Sequence, residues 1–330
     1  MSENFSDNQA PDCGPDADFA ELARLRKQVF NGAVTSLLIT AAAFGLLFWL
    51  SPSGNALTIW VIVAVIVVLC AIFATVKLYG TFRTFFKTHI VAEVISKIHP
   101  ELRYTPERGL DCEVLASTEL FKSRIDRYHS EDLIEGKIGD TAVRFSEVHA
   151  ERKEVHHNGK RTTVQYVKVF RGVLLEADFN KDFSGRTVVL PDVAERFLGK
   201  LIGNFLQNYN FTREQLVKLE DPEFERLFAV YGTDQQQSRY ILTPSMMERL
   251  VALRKRVKHN IYLAFKNSRM YLAIMTNENR FEPRMFGSSS PEAIRRRVAA
   301  ELTGITSIID ELALNTRIWS KGGSFNPKEN

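Results

Sequence analysis

The chain has 330 residues, 45% of them hydrophobic and 25% charged, with a formal net charge of +4. Its three cysteines are scattered (Cys13 in a polar tail, Cys70 in an apolar run, Cys112 far downstream), which excludes a disulfide framework. Residues 1–18 carry five acidic side chains (Glu3, Asp7, Asp12, Asp16, Asp18) and no Lys or Arg, leaving +9 on the remainder.

The first 20 residues, polar and nearly free of apolar side chains, read as a disordered acidic tail. They lack the basic start of a secretory signal, and the first apolar run begins too late for one. Residues 21–78 read as a transmembrane helical hairpin. Two charge-free runs, residues 33–50 and 57–76, would span roughly 27 and 30 Å as helices, about one hydrocarbon core each. Between them, Ser51 to Ala56 is an uncharged turn rich in helix breakers. Arg24, Arg26 and Lys27 precede the first run, and Lys77, Arg83 and Lys87 follow the second. The basic flanks therefore place both termini on the cytoplasmic side of a multi-pass protein. A buried hairpin of a soluble protein is the alternative. Ala41, Ala42 and Gly45, with Ser36 and Thr40, offer small faces for close packing within the hairpin or in a homo-oligomer.

From residue 79 to 98 the apolar side chains Phe82, Phe85, Phe86, Ile90, Val91, Val94, Ile95 and Ile98 fall close to a helical stripe, which Pro100 ends. This predicts a stalk helix continuous with the second membrane run, or an ordinary core-facing amphipathic helix. Residues 99–315 read as a mixed α+β cytoplasmic domain, with a division into two lobes near residue 215 as one option. Ser117-Thr118-Glu119 starts a short helical pattern, and Leu133 to Ile138 is a strand. Residues 141–157 and 160–179 are two long strands around Asn158-Gly159, a type I′ hairpin signal. A two-residue loop there pairs His157 with Lys160, Glu151 with Tyr166 and Val148 with Val169. The outer half, 151–166, is almost wholly polar, so a projecting arm is expected. Arg186 to Leu190 returns as a strand, and Pro191 opens a helix holding Phe197, Leu198, Leu201, Ile202 and Phe205. Helices are predicted after Asp221 and Thr243, both N-caps, and Tyr240 to Leu242 is extended. Residues 261–265 and 270–275 form a further strand pair, and a helix runs from Pro291 to about Leu314. Residues 316–330 read as a flexible tail.

Motifs of kinases, P-loop enzymes, zincins and α/β-hydrolases are absent. His149, His156 and His157 do not form a metal set: adjacent strand residues point to opposite faces, and eight residues separate His149 from His157. Asp178 and Asp182 in ADFNKDFSG are either turn residues or a carboxylate pair for acid–base chemistry. Two basic helical clusters could touch an anionic leaflet: Lys255 and Arg256 beside Arg254, and Arg295, Arg296 and Arg297. A solvated helix face is the commoner role of such a cluster. Nucleic-acid binding is not expected, because Phe224, Phe228 and Tyr262 sit at core-like positions and are not interleaved with the basic side chains.

Four stretches, VRFSEVHAERK (143–153), FRGVLLEADFNKDFSGRTVVLP (170–191), LEDPEFERLFAVYGTDQQQSRYILTP (219–244) and FEP (281–283), resemble a bacterial family of uncharacterised two-helix membrane proteins, domain of unknown function 3137. The resemblance spans roughly residues 20–315. It implies a bacterial inner-membrane protein with a cytoplasmic α+β domain, and a LemA-type or other envelope membrane protein as partner. It implies no activity, cofactor or catalytic residue. The expected function is therefore a membrane-anchored interaction or scaffold protein. Contacts are expected at the arm tip, His156, His157, Lys160 and Arg161, or on the basic helices. The alternatives are a membrane-surface lipid sensor and an enzyme using the 177–185 turn.

Overall fold

The computed structural model describes residues 15–50, 55–121, 123–159, 161–191, 215–287, 290–312 and 314. The expected helix holding Phe197 to Phe205, the C-terminal tail and the first 14 residues lie outside them. The chain divides into two compact units, Met1–Val94 with Phe281–Val298, and Ile95–Arg280 with Ala299–Asn330.

In the helical unit, α1 (Pro15–Leu50) and α2 (Asn55–Phe85) form the N-terminal hairpin. Both helices are longer than their apolar runs. α1 begins inside the expected acidic tail because Phe19, Leu22 and Val29 recur at helical spacing and are buried. Pro15, which cannot donate a backbone hydrogen bond, suits a first helical position. α2 passes through a π-helical turn (Phe86–Val91) into α3 (Ala92–Ile98), so the expected stalk is one continuous helix. The π turn adds a residue to the repeat, and Ile90 and Val91 are both fully buried with Phe82, Phe86, Val94 and Ile95. Of the two glycines on α1, Gly32 is the one that faces α2. A Cβ on Gly32 would lie 3.0 Å from Leu78 Cδ1, whereas one on Gly45 would meet open space.

The second unit is built on an antiparallel sheet, nine-stranded among the described residues, in the order β1-β2-β3-β4-β9-β8-β5-β7-β6. Its strands are β1 (Leu102–Thr105), β2 (Arg127–Ile138), β3 (Thr141–Asn158), β4 (Arg161–Asp178), β5 (Arg186–Pro191), β6 (Gln215–Leu216), β7 (Phe228–Gly232), β8 (Ile261–Lys266) and β9 (Arg269–Met275). Strands before and after residue 215 pair in this one sheet; the unit boundaries lie near residues 94, 281 and 298. Leu174, Val188, Ala264, Tyr271 and Ala273 join one core cluster with Leu115 and Leu120. Their strand neighbours Val173, Leu175, Val189, Leu263, Leu272 and Ile274 are equally buried, so the central strands are covered on both faces.

The helices of this unit are α4 (Cys112–Thr118), α5 (Pro222–Leu227), α6 (Gln235–Ile241), α7 (Pro244–Arg256) and the later part of α8 (Pro291–Glu311). Asp221 and Thr243 cap α5 and α7 as expected, accepting from Glu223 N and Met246 N. Two expectations fail. α4 ends where a helix was expected to begin, because Glu119 adopts a left-handed φ of 53°. Tyr240–Leu242 is not extended: Asp234 accepts from Gln236 N and Gln237 N, and the N-cap carries the chain helically to Ile241.

The strand pair at Asn158-Gly159 is present, with a register two residues from the expected one. Asn158 stays in the ladder opposite Arg161, His157 faces Thr162 and Glu151 faces Lys168. Gly159 takes the left-handed φ of 59°. Toward the base, a bulge between Ala150 and Glu151 shifts the pairing again, so Val148 faces Gly172 instead of Val169. β2 accompanies this hairpin only as far as Arg127 opposite Glu151. Beyond that point the arm is two-stranded and mostly exposed, while Val148, Ala150 and Phe170 at its base are buried.

Glu119 is held by two cations. Arg186 bonds its carboxylate, and Lys266 Nζ lies 2.8 Å from it. Partial burial alone would raise its pKa; Lys266 and Arg186 outweigh this and hold it below the ordinary 4.5. A depressed folded-state value gives stability that is complete above 4.5 and is lost as pH falls through the folded value. Wild type is therefore expected to exceed Glu119→Gln in urea midpoint near pH 7, and the gap is expected to be smaller at pH 3. A constant gap at both pH values would contradict this linkage.

Candidate functional site

The best-formed cavity of the helical unit encloses about 270 Å³. α1 contributes Phe19, Leu22, Ala23 and Arg26, and α2 with its π turn contributes Phe82 and Phe86. The segment from Pro283 to Gly287 and the start of α8, with Ala293, Ile294 and Arg297, complete it. The walls are largely aromatic and aliphatic, and the polar side chains on them are three arginines: Arg26, Arg284 and Arg297.

A network of charges fixes this arrangement. Arg26 donates to Met285 O at 2.9 and 2.6 Å and to Gly287 O at 3.3 Å, tying α1 to a segment about 260 residues away in sequence. Glu282 is clasped by Arg83 at 2.6 Å and by Lys87 at 3.0 Å, and the lysine side chain is only 3% exposed. Such a buried cation needs its carboxylate, since stranding it would cost several kcal/mol (about 3–5). Arg295 lies 3.7 Å from Glu93 and 4.4 Å over the Phe19 ring. Arg297 lies 5.6 Å over the Phe86 ring, and Arg296 is exposed. The expected Arg295–Arg297 cluster is thus divided: Arg295 and Arg297 pack inward, and Arg296 faces solvent.

Lys255 and Arg256 end α7 in the sheet unit. Lys255 pairs with Glu223 at 2.7 Å and Arg256 with Glu311 at 2.7 Å. Both side chains of the Lys255 pair are well exposed, which makes that contact weak and exchangeable. Near the arm tip, His156 lies 3.4 Å from Glu154, and His157 Nδ1 lies 3.0 Å from Thr162 Oγ1. Lys160 and the Arg161 side chain lie outside the described residues. In the 177–185 turn, Asn180 has a left-handed φ of 53°, Phe179 N donates to Ser268 O, and Asp182 accepts from Ser268 Oγ at 3.2 Å. This is the chemistry of a turn bound to the β8–β9 hairpin. Lys181 packs by Tyr240, donating to its carbonyl oxygen at 3.1 Å, and burial lowers its pKa.

The sheet also gathers carboxylates that the sequence pattern did not single out. Glu131 and Glu147 face each other across β2 and β3, and Asp132 joins them at the bulge with a left-handed φ of 60°. Their oxygens lie within 4.8 Å of one another, close enough to share a cation. Tyr104 donates to Asp132, and Arg280 N donates to Glu147. His129 and His149 are also opposite each other, two residues from the glutamates on the same face.

Residues 168–314 match the family model described as "Protein of unknown function (DUF3137)". This segment is similar to that family of unknown function. The matched segment takes in the later part of β4, β5 to β9, α5 to α8 and the Pro283–Gly287 wall of the cavity, while α1 to α4, β1 to β3 and the start of β4 precede it. No curated protein matches the chain. Among solved structures, the crystal structure of the mycobacterial trehalose monomycolate transport factor A, TtfA, aligns with 67% of this chain and 95% of its own. The identity is 8% and the TM-score 0.33.

Proposed function

We propose that the protein is a membrane-anchored interaction protein of the bacterial inner membrane. Its hairpin crosses the bilayer twice and holds the α+β domain at the cytoplasmic face. The observation that carries the reading is the exposure of apolar side chains around both helices. Leu37, Phe44, Phe73 and Val76 are 69, 65, 71 and 64% exposed, with many of their apolar neighbours similarly bare. The stretches Ala17–Leu46 and Val61–Ile98 are each long and apolar enough to cross a membrane. In water, an apolar surface of this extent would drive association, whereas a bilayer matches it. The polar turn and the basic flanks supply the orientation.

The chain is expected to resist extraction by alkaline carbonate. In a variant with its own three cysteines replaced by serine, Gly54→Cys is expected to react with an impermeant thiol reagent added outside intact cells. Gly159→Cys is expected to stay unlabelled. The reverse pattern would invert the topology, and release by carbonate would sink the anchor.

The two-stranded arm beyond Glu151 is the surface best shaped for a partner. Replacing residues 152–165 by a short turn is expected to abolish crosslinking to that partner while leaving the thermal midpoint within about 2 °C, because the removed side chains are mostly exposed. Undiminished crosslinking would discredit the arm.

A further inference from the structure

We propose that the arginine-rimmed cavity of the helical unit holds the headgroup and glycerol region of one anionic phospholipid from the surrounding bilayer. The proposal rests on the bilayer-anchor reading and adds a ligand class to it.

Position is the first support. Arg26 lies seven residues before the first apolar run and Phe82 six residues after the second, which is about 9–10 Å along each helix. That sets the rim nearest the bilayer just at the outer side of the headgroup layer, which is about 5–8 Å thick on each side of the hydrocarbon core. Size is the second. At about 30 Å³ per water, 270 Å³ is roughly nine waters, room for a glycerol phosphate and the first methylenes of a chain. Two acyl chains would not fit and would stay in the bilayer beside the exposed apolar faces of α1 and α2.

Charge is the third support. The Arg26 guanidinium donates to the main-chain oxygens of Met285 and Gly287, and among the described residues no carboxylate pairs with it. Arg284 is exposed and likewise has no carboxylate partner among the described residues. The neighbouring acid, Glu282, is already engaged by Arg83 and Lys87. The cavity therefore carries a positive excess: Arg26 keeps Nη1 for an anion while its Nε and Nη2 hold main-chain oxygens, and the Arg284 guanidinium can meet a phosphate bidentately. Beside it, Phe286 is 79% exposed, as expected of an aromatic side chain that enters the interface.

The full-length chain is reconstituted in nanodiscs of phosphatidylglycerol or phosphatidylcholine and transferred to detergent, and retained lipid per chain is counted by native mass spectrometry. One phosphatidylglycerol per chain is expected, with phosphatidylcholine retained at least tenfold less. The double variant Arg26→Gln, Arg284→Gln is expected to lower retention at least tenfold. Because Arg26 also anchors the Met285–Gly287 segment, Ala293→Trp provides an independent route: it fills the cavity and leaves the charges in place, with the same expected loss. Arg124→Gln, on the sheet unit and 88% exposed, is expected to change nothing. Equal retention of phosphatidylcholine, or undiminished retention in both cavity variants, would overturn the proposal. So would soluble glycerol 3-phosphate binding as tightly as the lipid. Failure of the anchor is read separately, as release by alkaline carbonate.

Discussion

Gly172→Ala is expected to prevent the sheet unit from folding, or to destabilise it by about 4 kcal/mol or more. Gly172 sits in the middle of β4, between Val148 on β3 and Met275 on β9, with a φ of 150° that side-chain-bearing residues rarely adopt. A Cβ there would fall 1.9 Å from Ile274 O and 2.9 Å from Thr276 N. Both are backbone atoms, so no side chain can swing aside. Relief requires separating β4 from β9, at the centre of the sheet. Two other glycines calibrate the effect. Gly136→Ala meets Glu101 O at 2.1 Å, but beside the edge strand β1, which can move outward. Gly159→Ala meets open space and carries only the left-handed backbone strain, about 1–2 kcal/mol. The expected order of loss is therefore Gly172, Gly136, Gly159, checked by urea unfolding of the full chain in detergent. A Gly172→Ala midpoint near wild type would mean that β4 and β9 are not so closely apposed.

The hairpin at Asn158-Gly159 was legible because the two residues tolerate the backbone angles of a tight turn and polar strands flank them. Its register was not, since one dipeptide cannot show whether Asn158 belongs to the loop or to the ladder. The bulge near Ala150 and the left-handed turns at Glu119 and Asp132 depend on contacts distant in sequence: Arg186 and Lys266 for Glu119, Tyr104 for Asp132. The helices after Asp221 and Thr243 were legible because an N-cap acts within three residues. For α6 the Asp234 cap was equally local, but Tyr240, Ile241 and Leu242 outweighed it as apparent strand residues. The cavity was the least legible feature. Arg26, Phe82 and Arg284 are separated by long stretches of chain, and no spacing rule links them. The FEP stretch at 281–283 marked the right segment without showing that its glutamate clasps Arg83 and Lys87.

Glu176→Leu is expected to cost about 3–5 kcal/mol and to lower the thermal midpoint by roughly 10 °C. The Glu176 carboxylate is 1% exposed and accepts from Arg144 on β3 and from Arg269 on β9, the latter at 2.7 Å. Removing it leaves two guanidinium groups, each less than a quarter exposed, on the two strands that flank β4 without their shared anion. The loss reflects stranded charge more than the net worth of the ion pair. Replacing all three by apolar residues (Arg144→Met, Glu176→Leu, Arg269→Met) is accordingly expected to recover most of the stability. The location gives this triad a further consequence. It bridges β3, β4 and β9 inside the central sheet, near the Asp178–Arg269 end of the β4–β9 pairing and away from Gly172, past which the arm continues without β9. Hydrogen exchange in Glu176→Leu is therefore expected to quicken first at Phe145 to Val148 and Val173 to Leu175, before the β5–β8 pair loosens. Uniform acceleration across the sheet would show that the triad supports the whole unit and not the β3–β4–β9 junction alone.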